Sequence, residues 1–226
     1  MAGGNKIKAT AWLLFCLCLC PGCTKAALRV ERPIRSAAVI PFLVKAHGRD
    51  GKGLVEDPVS GRFFVAGEIA PNAQRELTDL LYQKMAAFPR LQLVSRKEIE
   101  RATKPGDFAR DSVASALKVG EAFGVEGVVL GWAFRYEERR GSAIAVERPA
   151  SVSLAIHLVG VKEGRILWSG PFQETQQALS ENLLRLGAFL RGRGTWLTAK
   201  NLASVGMDEV LVSFPASREE PEPERP

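Results

Sequence analysis

The feature that most constrains this chain is the position of its cysteines. All four lie within the first 23 residues, in the stretch Trp12-Leu-Leu-Phe-Cys-Leu-Cys-Leu-Cys-Pro-Gly-Cys23. Beyond Cys23 the chain has no thiol, so the remainder can form neither an internal disulfide nor a cysteine-ligated metal centre. It must therefore be held together by a packed apolar core, for which a hydrophobic content of 46% is sufficient.

The same stretch has the pattern of an export signal. Lys6 and Lys8 precede an apolar run from Ala9 to Cys20. This run is about twelve residues long, within the ~7–15 of a secretory signal and short of the roughly 20 that a transmembrane helix needs. The sequence therefore predicts that residues 1–22 are a signal peptide.

The end of the signal resembles the cleavage box of bacterial lipoproteins, in which a small residue precedes a cysteine that becomes linked to diacylglycerol. Gly22 matches the residue before the cleavage, and Cys23 matches the lipid-attachment cysteine. Cys20 stands where these proteins usually have leucine, and Pro21 is atypical. The resemblance implies several fatty-acyl chains of the palmitate kind, which together anchor a protein stably. An ordinary secretory signal is the alternative, although no Ala-x-Ala-like site is present.

The lipoprotein resemblance also implies a location. In such proteins the residue after the cysteine influences sorting, and Thr24 lacks the acidic character linked to inner-membrane retention. We expect an outer-membrane anchor that faces the periplasm, with the outer leaflet of the inner membrane as the alternative. Residues 23–36 would be the lipidated N-terminus and tether, which spans roughly 40 Å when fully extended.

Composition and charge restrict the kind of partner. Loss of Lys6 and Lys8 with the signal lowers the basic residues from 31 to 29, against 25 acidic ones, and the charges are interspersed. This pattern lacks the Lys/Arg block of a nucleic-acid-binding surface. The acidic, proline-rich residues 216–226 cannot bury apolar surface and are predicted to be a disordered tail.

Hydrophobic periodicity predicts one α/β (α+β) domain over residues 37–215. Its first part alternates buried strands with helices that begin after Asn72, at Arg96 and after Asp111. Ser95 and Glu98 have the spacing of a capping box. The later part contains three strands in an antiparallel meander, at 127–134, 150–161 and 165–168, followed by helices near Leu179–Leu190 and after Thr198. We expect three layers, with about five helices and a mixed sheet of about five strands, a parallel crossover part preceding the meander.

Residue types offer few sites for chemistry. The Gly-rich segment 43–70 is predicted to be a mobile loop, with Phe63-Phe-Val65 as a short strand inside it. Two alternative sites in this segment fit its pattern less well. They are a metal site formed by His47, Asp50, Glu56 and Asp57, and a phosphate loop formed by Gly48, Gly51 and Gly53. His157 lies on the face opposite Ile156 and has no partner evident in the sequence, so a structural role is expected. No catalytic residue, metal ligand or cofactor is predicted. Glu137 and Glu138 leave open an envelope hydrolase with a carboxylate site.

The order of motifs resembles a group of envelope proteins. These are the curli-secretion channel subunit (CsgG-like), the lipoprotein activator of penicillin-binding protein (LpoB-like) and the N-terminal domain of the Tol-Pal β-propeller protein. Four segments carry the likeness. They are a strand at 38–42, a strand-helix junction at 91–98, a glycine-rich strand at 124–131 and a final strand at 164–168.

This resemblance implies a non-enzymatic binding, scaffold or regulatory module that contacts another envelope protein. The alternative is a subunit of a periplasmic, secretion-related ring. Loops on a rigid scaffold commonly carry recognition. The expected contact surfaces are therefore the 43–70 segment and the hairpin tip that includes Tyr136, Arg139 and Arg140.

Overall fold

The computed structural model describes residues 33–45, 53–142, 146–176 and 196–217. Within these ranges it contains four α-helices: α1 Ala73–Ala86, α2 Arg96–Ala102, α3 Ser112–Phe123 and α4 Ala199–Leu211. The strands are β1 Ser36–Val39, β2 Leu43–Val44, β3 Gly53–Glu56, β4 Phe63–Ala66, β5 Gln92–Leu93, β6 Gly127–Glu137, β7 Arg140–Gly141, β8 Val146–Arg148, β9 Ser151–Gly160 and β10 Arg165–Thr175. The helix predicted near Leu179–Leu190 lies outside the described residues.

The main sheet is mixed, as predicted, and has six strands. Its order is β10-β9-β6-β1-β5, with β2 beside β6. Strands β1, β2, β5 and β6 pair in parallel, whereas β6, β9 and β10 form the predicted antiparallel meander. The strand expected at 38–42 ends early: β1 stops at Val39 and β2 begins at Leu43, beyond Pro41, because proline lacks the N–H that a continuous ladder requires.

The sheet lies between two layers. Helices α1 and α4 cover one face, with Leu77, Leu81 and Met207 among the core residues. Helices α2 and α3 and the β3–β4 hairpin cover the other face, where Ile99 and Phe64 are buried. Every residue of β9 is buried, including the polar Ser151, Ser153 and His157, because both faces of this strand are covered.

The helix starts agree with the sequence, but two of the expected caps differ. Asp111 accepts a hydrogen bond from the Ala114 N–H at 2.9 Å, and Thr198 accepts one from the Asn201 N–H at 3.2 Å. Asn72 and Ser95 occupy N-cap positions without a side-chain capping bond. The Asn72 amide is used otherwise, since it donates to Oε1 of Glu76 at 2.8 Å.

A β-bulge in β6 directs the side chains near its end. The register with β9 shifts between Ala133 and Arg135, so that Phe134 is the extra residue. As a result Phe134 packs in the hairpin-side core, while Tyr136 packs in the core beneath α1. Strict alternation would place these two residues on one face.

The 43–70 segment is more ordered than expected. Its described part contains β2 and a two-stranded hairpin, β3–β4, which packs on the sheet. Phe63-Phe-Val65 forms most of β4, as predicted. The interpretation as a mobile loop is therefore wrong for residues 53–66, while His47, Gly48, Asp50 and Gly51 lie outside the described residues.

Candidate functional site

The β3–β4 hairpin displays an apolar outer face. The exposed fraction is 62% for Leu54, 61% for Phe63 and 40% for Val65. Leu54 and Val65 are direct cross-strand partners, and Phe63 stands two residues before Val65, so all three side chains share one face. We call these three residues the hairpin strip. Apolar surface displayed in this way marks a site of interaction when it forms a patch.

The inner face of the hairpin is packed as a protein core. Val55 and Phe64 are buried, and the Phe64 ring stacks on Phe134 with centroids 4.5 Å apart. The strip is therefore the outward side of an element whose other side is fixed by burial.

Hydrogen bonds also fasten the hairpin at its edges. The Val65 N–H donates to Oε1 of Gln173 on β10 at 2.8 Å, and the Gly67 N–H donates to the Phe134 carbonyl at 3.1 Å. Lys45, directly after β2, donates to the Glu56 carbonyl at 2.8 Å. These bonds hold the strip in a defined position relative to the main sheet.

The turn of the hairpin is organised by Asp57. Its carboxylate accepts hydrogen bonds from the N–H groups of Val59 and Ser60 and from the Ser60 hydroxyl. This is the Asx-turn arrangement that favours aspartate before a turn. Gly61 completes the turn with a φ of 70°, a left-handed conformation that glycine adopts without strain.

Asp57 also reaches the main sheet through His157 on β9. Both side chains are about 1% exposed, and Nε2 of His157 lies 3.0 Å from Oδ2 of Asp57. The contact is a close electrostatic approach without the alignment of a full hydrogen bond. On the other side of the ring, Nδ1 lies 2.9 Å from Oγ of the exposed Ser169 on β10. The structure thus supplies the partners of His157 that the sequence does not reveal, Asp57 and Ser169.

The surroundings of Asp57 keep its carboxylate ionised. Burial by itself raises the pKa of Asp57, but His157, the Ser60 hydroxyl and the Val59 N–H favour the charged form more strongly. The net effect holds the pKa of Asp57 below its ordinary value. A negative charge therefore lies beneath the hairpin, facing the imidazole.

The structure corrects the role expected of Tyr136. Its side chain is 0% exposed, and its hydroxyl donates to Oε2 of Glu76 on α1 at 2.6 Å. Burial, followed by the nearby Glu76 carboxylate, raises the pKa of this phenol. Tyr136 consequently presents no surface to a partner, because the bulge in β6 turns it into the core.

The two arginines of the tip differ from each other. Arg139 is half-buried and donates to the Trp196 carbonyl at 2.9 Å, which ties the tip to the segment before α4. Arg140 is exposed on β7, directly opposite Arg148 on β8. Of the three predicted contact residues, Arg140 is thus the most exposed.

The two carboxylates considered for hydrolysis support structure. Glu137 accepts from Arg148 at 2.7 Å and from the Glu68 N–H at 3.1 Å. Glu138 accepts from the Ala199 N–H at 3.2 Å, at the start of α4, where the helix dipole favours a negative charge.

Other site classes give no further candidate within the described ranges. There, no three His, Cys, Asp or Glu side chains are grouped as metal ligands would be. The helices of the same ranges are too short or too polar to cross a membrane. Gly22 and Cys23 lie outside the described residues, so the lipid-attachment site stays a prediction.

No protein-family model matches the chain, and no curated protein matches it. It is similar to several solved structures at low identity. Lipoprotein GNA1162 from Neisseria meningitidis is 16% identical, with a TM-score of 0.43 over 70% of this chain and 93% of that chain. The PelC dodecamer from Paraburkholderia phytofirmans is 12% identical, with a TM-score of 0.46 over 84% and 91%.

The C-terminal domain of LpoB from Escherichia coli is 16% identical, with a TM-score of 0.40 over 66% of this chain and 87% of that chain. LpoB is one of the three relatives that the sequence resembles.

Proposed function

We propose that this chain is a lipid-anchored envelope protein whose α/β domain binds another envelope protein without catalysing a reaction. The export signal and the Gly22-Cys23 box support the anchor. The hairpin strip supports the binding role and is the observation on which the proposal depends. Anchoring through Cys23 would hold the domain at a membrane on the periplasmic side, and Thr24 favours the outer membrane over the inner one.

The strip has the properties of a recognition surface. Phe63, the first residue of β4, supplies a large apolar side chain on a rigid element, and aromatic anchors of this kind contribute strongly to protein interfaces. Because the hairpin is already fastened to the sheet, binding does not have to order it first, which lowers the entropic cost of association. Arg140 on β7, which pairs with β8 and not with this hairpin, offers a separate accessible charge.

The anchor would limit where a partner is met. Ile34 is already buried in the core of the domain and β1 begins at Ser36, so residues 23–33 are the free part of the tether and reach roughly 35 Å when fully extended. A partner of the strip must therefore lie close to the membrane that holds Cys23.

Site-specific photo-crosslinking in cells tests the binding role. A photoreactive amino acid replaces Phe63 in the full chain, and the matched control replaces Val212, which is 79% exposed and lies away from the hairpin. We expect one defined adduct with another envelope protein from position 63 and none from position 212. Absence of an adduct at position 63, or the same adducts from both positions, would overturn the proposal.

The same experiment distinguishes the alternative of a periplasmic ring. An adduct that contains only copies of this chain would assign the strip to self-association.

The anchor is tested separately by Cys23→Ala, which should move the protein from the membrane fraction to the soluble periplasm. Equal membrane retention of both forms would refute lipid attachment.

A further inference from the structure

We infer that Ser169 is a reactive serine that accepts an acyl group from small activated esters at the open face of β10. Its side chain is exposed, and its Oγ lies 2.9 Å from Nδ1 of the buried His157. An exposed hydroxyl within hydrogen-bond reach of an imidazole is the minimum arrangement of an activated nucleophile.

The base is held in place by the sheet. Ser169 and His157 are direct cross-strand partners of β10 and β9, so their backbone positions are fixed relative to each other. The ring itself is 1% exposed and therefore has little freedom to turn away. This rigidity keeps Nδ1 directed at the hydroxyl.

Asp57 supplies the third group of the array. Its Oδ2 lies 3.0 Å from Nε2 of His157, on the side of the ring opposite Ser169. A carboxylate there favours the tautomer with hydrogen on Nε2, which leaves Nδ1 as the acceptor. It also stabilises the imidazolium that forms when the ring takes the serine proton, as in Ser-His-Asp arrangements.

The carboxylate is itself prearranged. Hydrogen bonds from the Val59 N–H and the Ser60 hydroxyl fix it within the hairpin turn. The array therefore runs from the surface at Ser169, through β9, to an ionised group beneath the hairpin. Three separate elements of the fold build it.

The covalent step requires Ser169, His157 and the ester, with no further reactant. Oγ of Ser169 attacks the carbonyl carbon and forms a new C–O bond, while its proton passes to Nδ1 of His157. The bond from that carbon to the leaving oxygen breaks, and His157 returns the proton to this oxygen, which departs as an alcohol. The product is an ester on Ser169, a stoichiometric modification that needs no turnover. The inference does not depend on the proposed binding role.

A fluorophosphonate probe tests the inference on the mature full chain, since it forms an Oγ–P bond and releases fluoride. Peptide mapping should locate a single label on Ser169, and Ser169→Ala should abolish it. Ser213→Ala is the matched control, because Ser213 is also exposed but its hydroxyl contacts Trp168 and the Val210 carbonyl instead of a histidine. This control should label as the unaltered protein does.

The base is tested by His157→Gln, which should lower the labelling rate at least roughly 100-fold, the usual contribution of a positioned base. Thermal unfolding of the variant establishes that it is folded. No label on Ser169, or a folded His157→Gln variant that labels equally fast, would overturn the inference.

Discussion

Nε2 of His157 lies 3.0 Å from Oδ2 of Asp57, although one hundred residues separate them in the chain. One residue belongs to the turn of the β3–β4 hairpin and the other to the buried centre of the main sheet. Removing a carboxylate from water costs several kcal/mol, which only close partners can offset. The contact therefore links the position of the hairpin strip to the core of the domain.

Asp57→Ala should lower the free energy of unfolding by about 3 kcal/mol, as the loss of one member of a buried polar pair does. The substitution also leaves the Val59 and Ser60 N–H groups of the turn without their acceptor. Asp208→Ala is the control, since Asp208 pairs with Lys84 at 2.5 Å but is 68% exposed, and such pairs contribute about 0–1 kcal/mol. Urea titration measures both, and equal losses would contradict the structural role of Asp57.

The lowered pKa of Asp57 predicts a dependence of stability on acid. Because the folded-state pKa lies below the unfolded value of roughly 3.9, ionised Asp57 contributes stability that is fully present above that value. This contribution is lost as the pH falls through the folded-state pKa. The difference in unfolding free energy between the unaltered protein and Asp57→Asn should therefore shrink from about pH 4 downward. Urea midpoints between pH 5 and pH 2.5 measure it, and a constant difference would refute the pKa direction.

Most of the fold follows from local sequence signals. Pro41 ends β1, Asp111 and Thr198 cap their helices, and the alternation in β9 places Ile156 and His157 on opposite faces. These features depend on residues that are close in sequence, where hydrogen-bonding and periodicity rules apply directly. The bulge at Phe134 has no such signal, and so the burial of Tyr136 could not be predicted.

The Asp57, His157 and Ser169 array could be predicted only in part. The run Asp57-Pro-Val-Ser-Gly61 carries turn signals that indicate how Asp57 is used locally. Its approach to His157 depends on how the hairpin folds back over β9, which is a tertiary contact. The outward direction of Leu54 and Phe63 likewise depends on which hairpin face meets the sheet, and an apolar strand of this length fits either choice.

Tyr136→Phe should destabilise the domain by about 2 kcal/mol, because it removes a buried hydrogen bond to a charged acceptor, Glu76. Tyr82→Phe is the matched control. Its hydroxyl donates to the Val94 carbonyl at 3.2 Å from a half-buried site, so its loss should cost about 0.5–1 kcal/mol. Adduct formation from position 63 should be unchanged in Tyr136→Phe. A folded Tyr136→Phe variant that loses the adduct would instead show that this residue takes part in binding.

Gly131→Ala should destabilise the domain by about 1–3 kcal/mol through overpacking. Gly131 lies in the middle of β6, and a Cβ there would overlap the ring of Phe42, which is fully buried. A smaller side chain at position 42 should restore part of the lost unfolding free energy. Phe42→Leu combined with Gly131→Ala should therefore cost less than the sum of the two single changes. Gly106→Ala is the control, since nothing lies within 4 Å of its added Cβ, and its effect should stay within about 0.5 kcal/mol. Urea unfolding of the four variants measures the coupling, and strictly additive losses would show that the Phe42 ring does not restrict position 131.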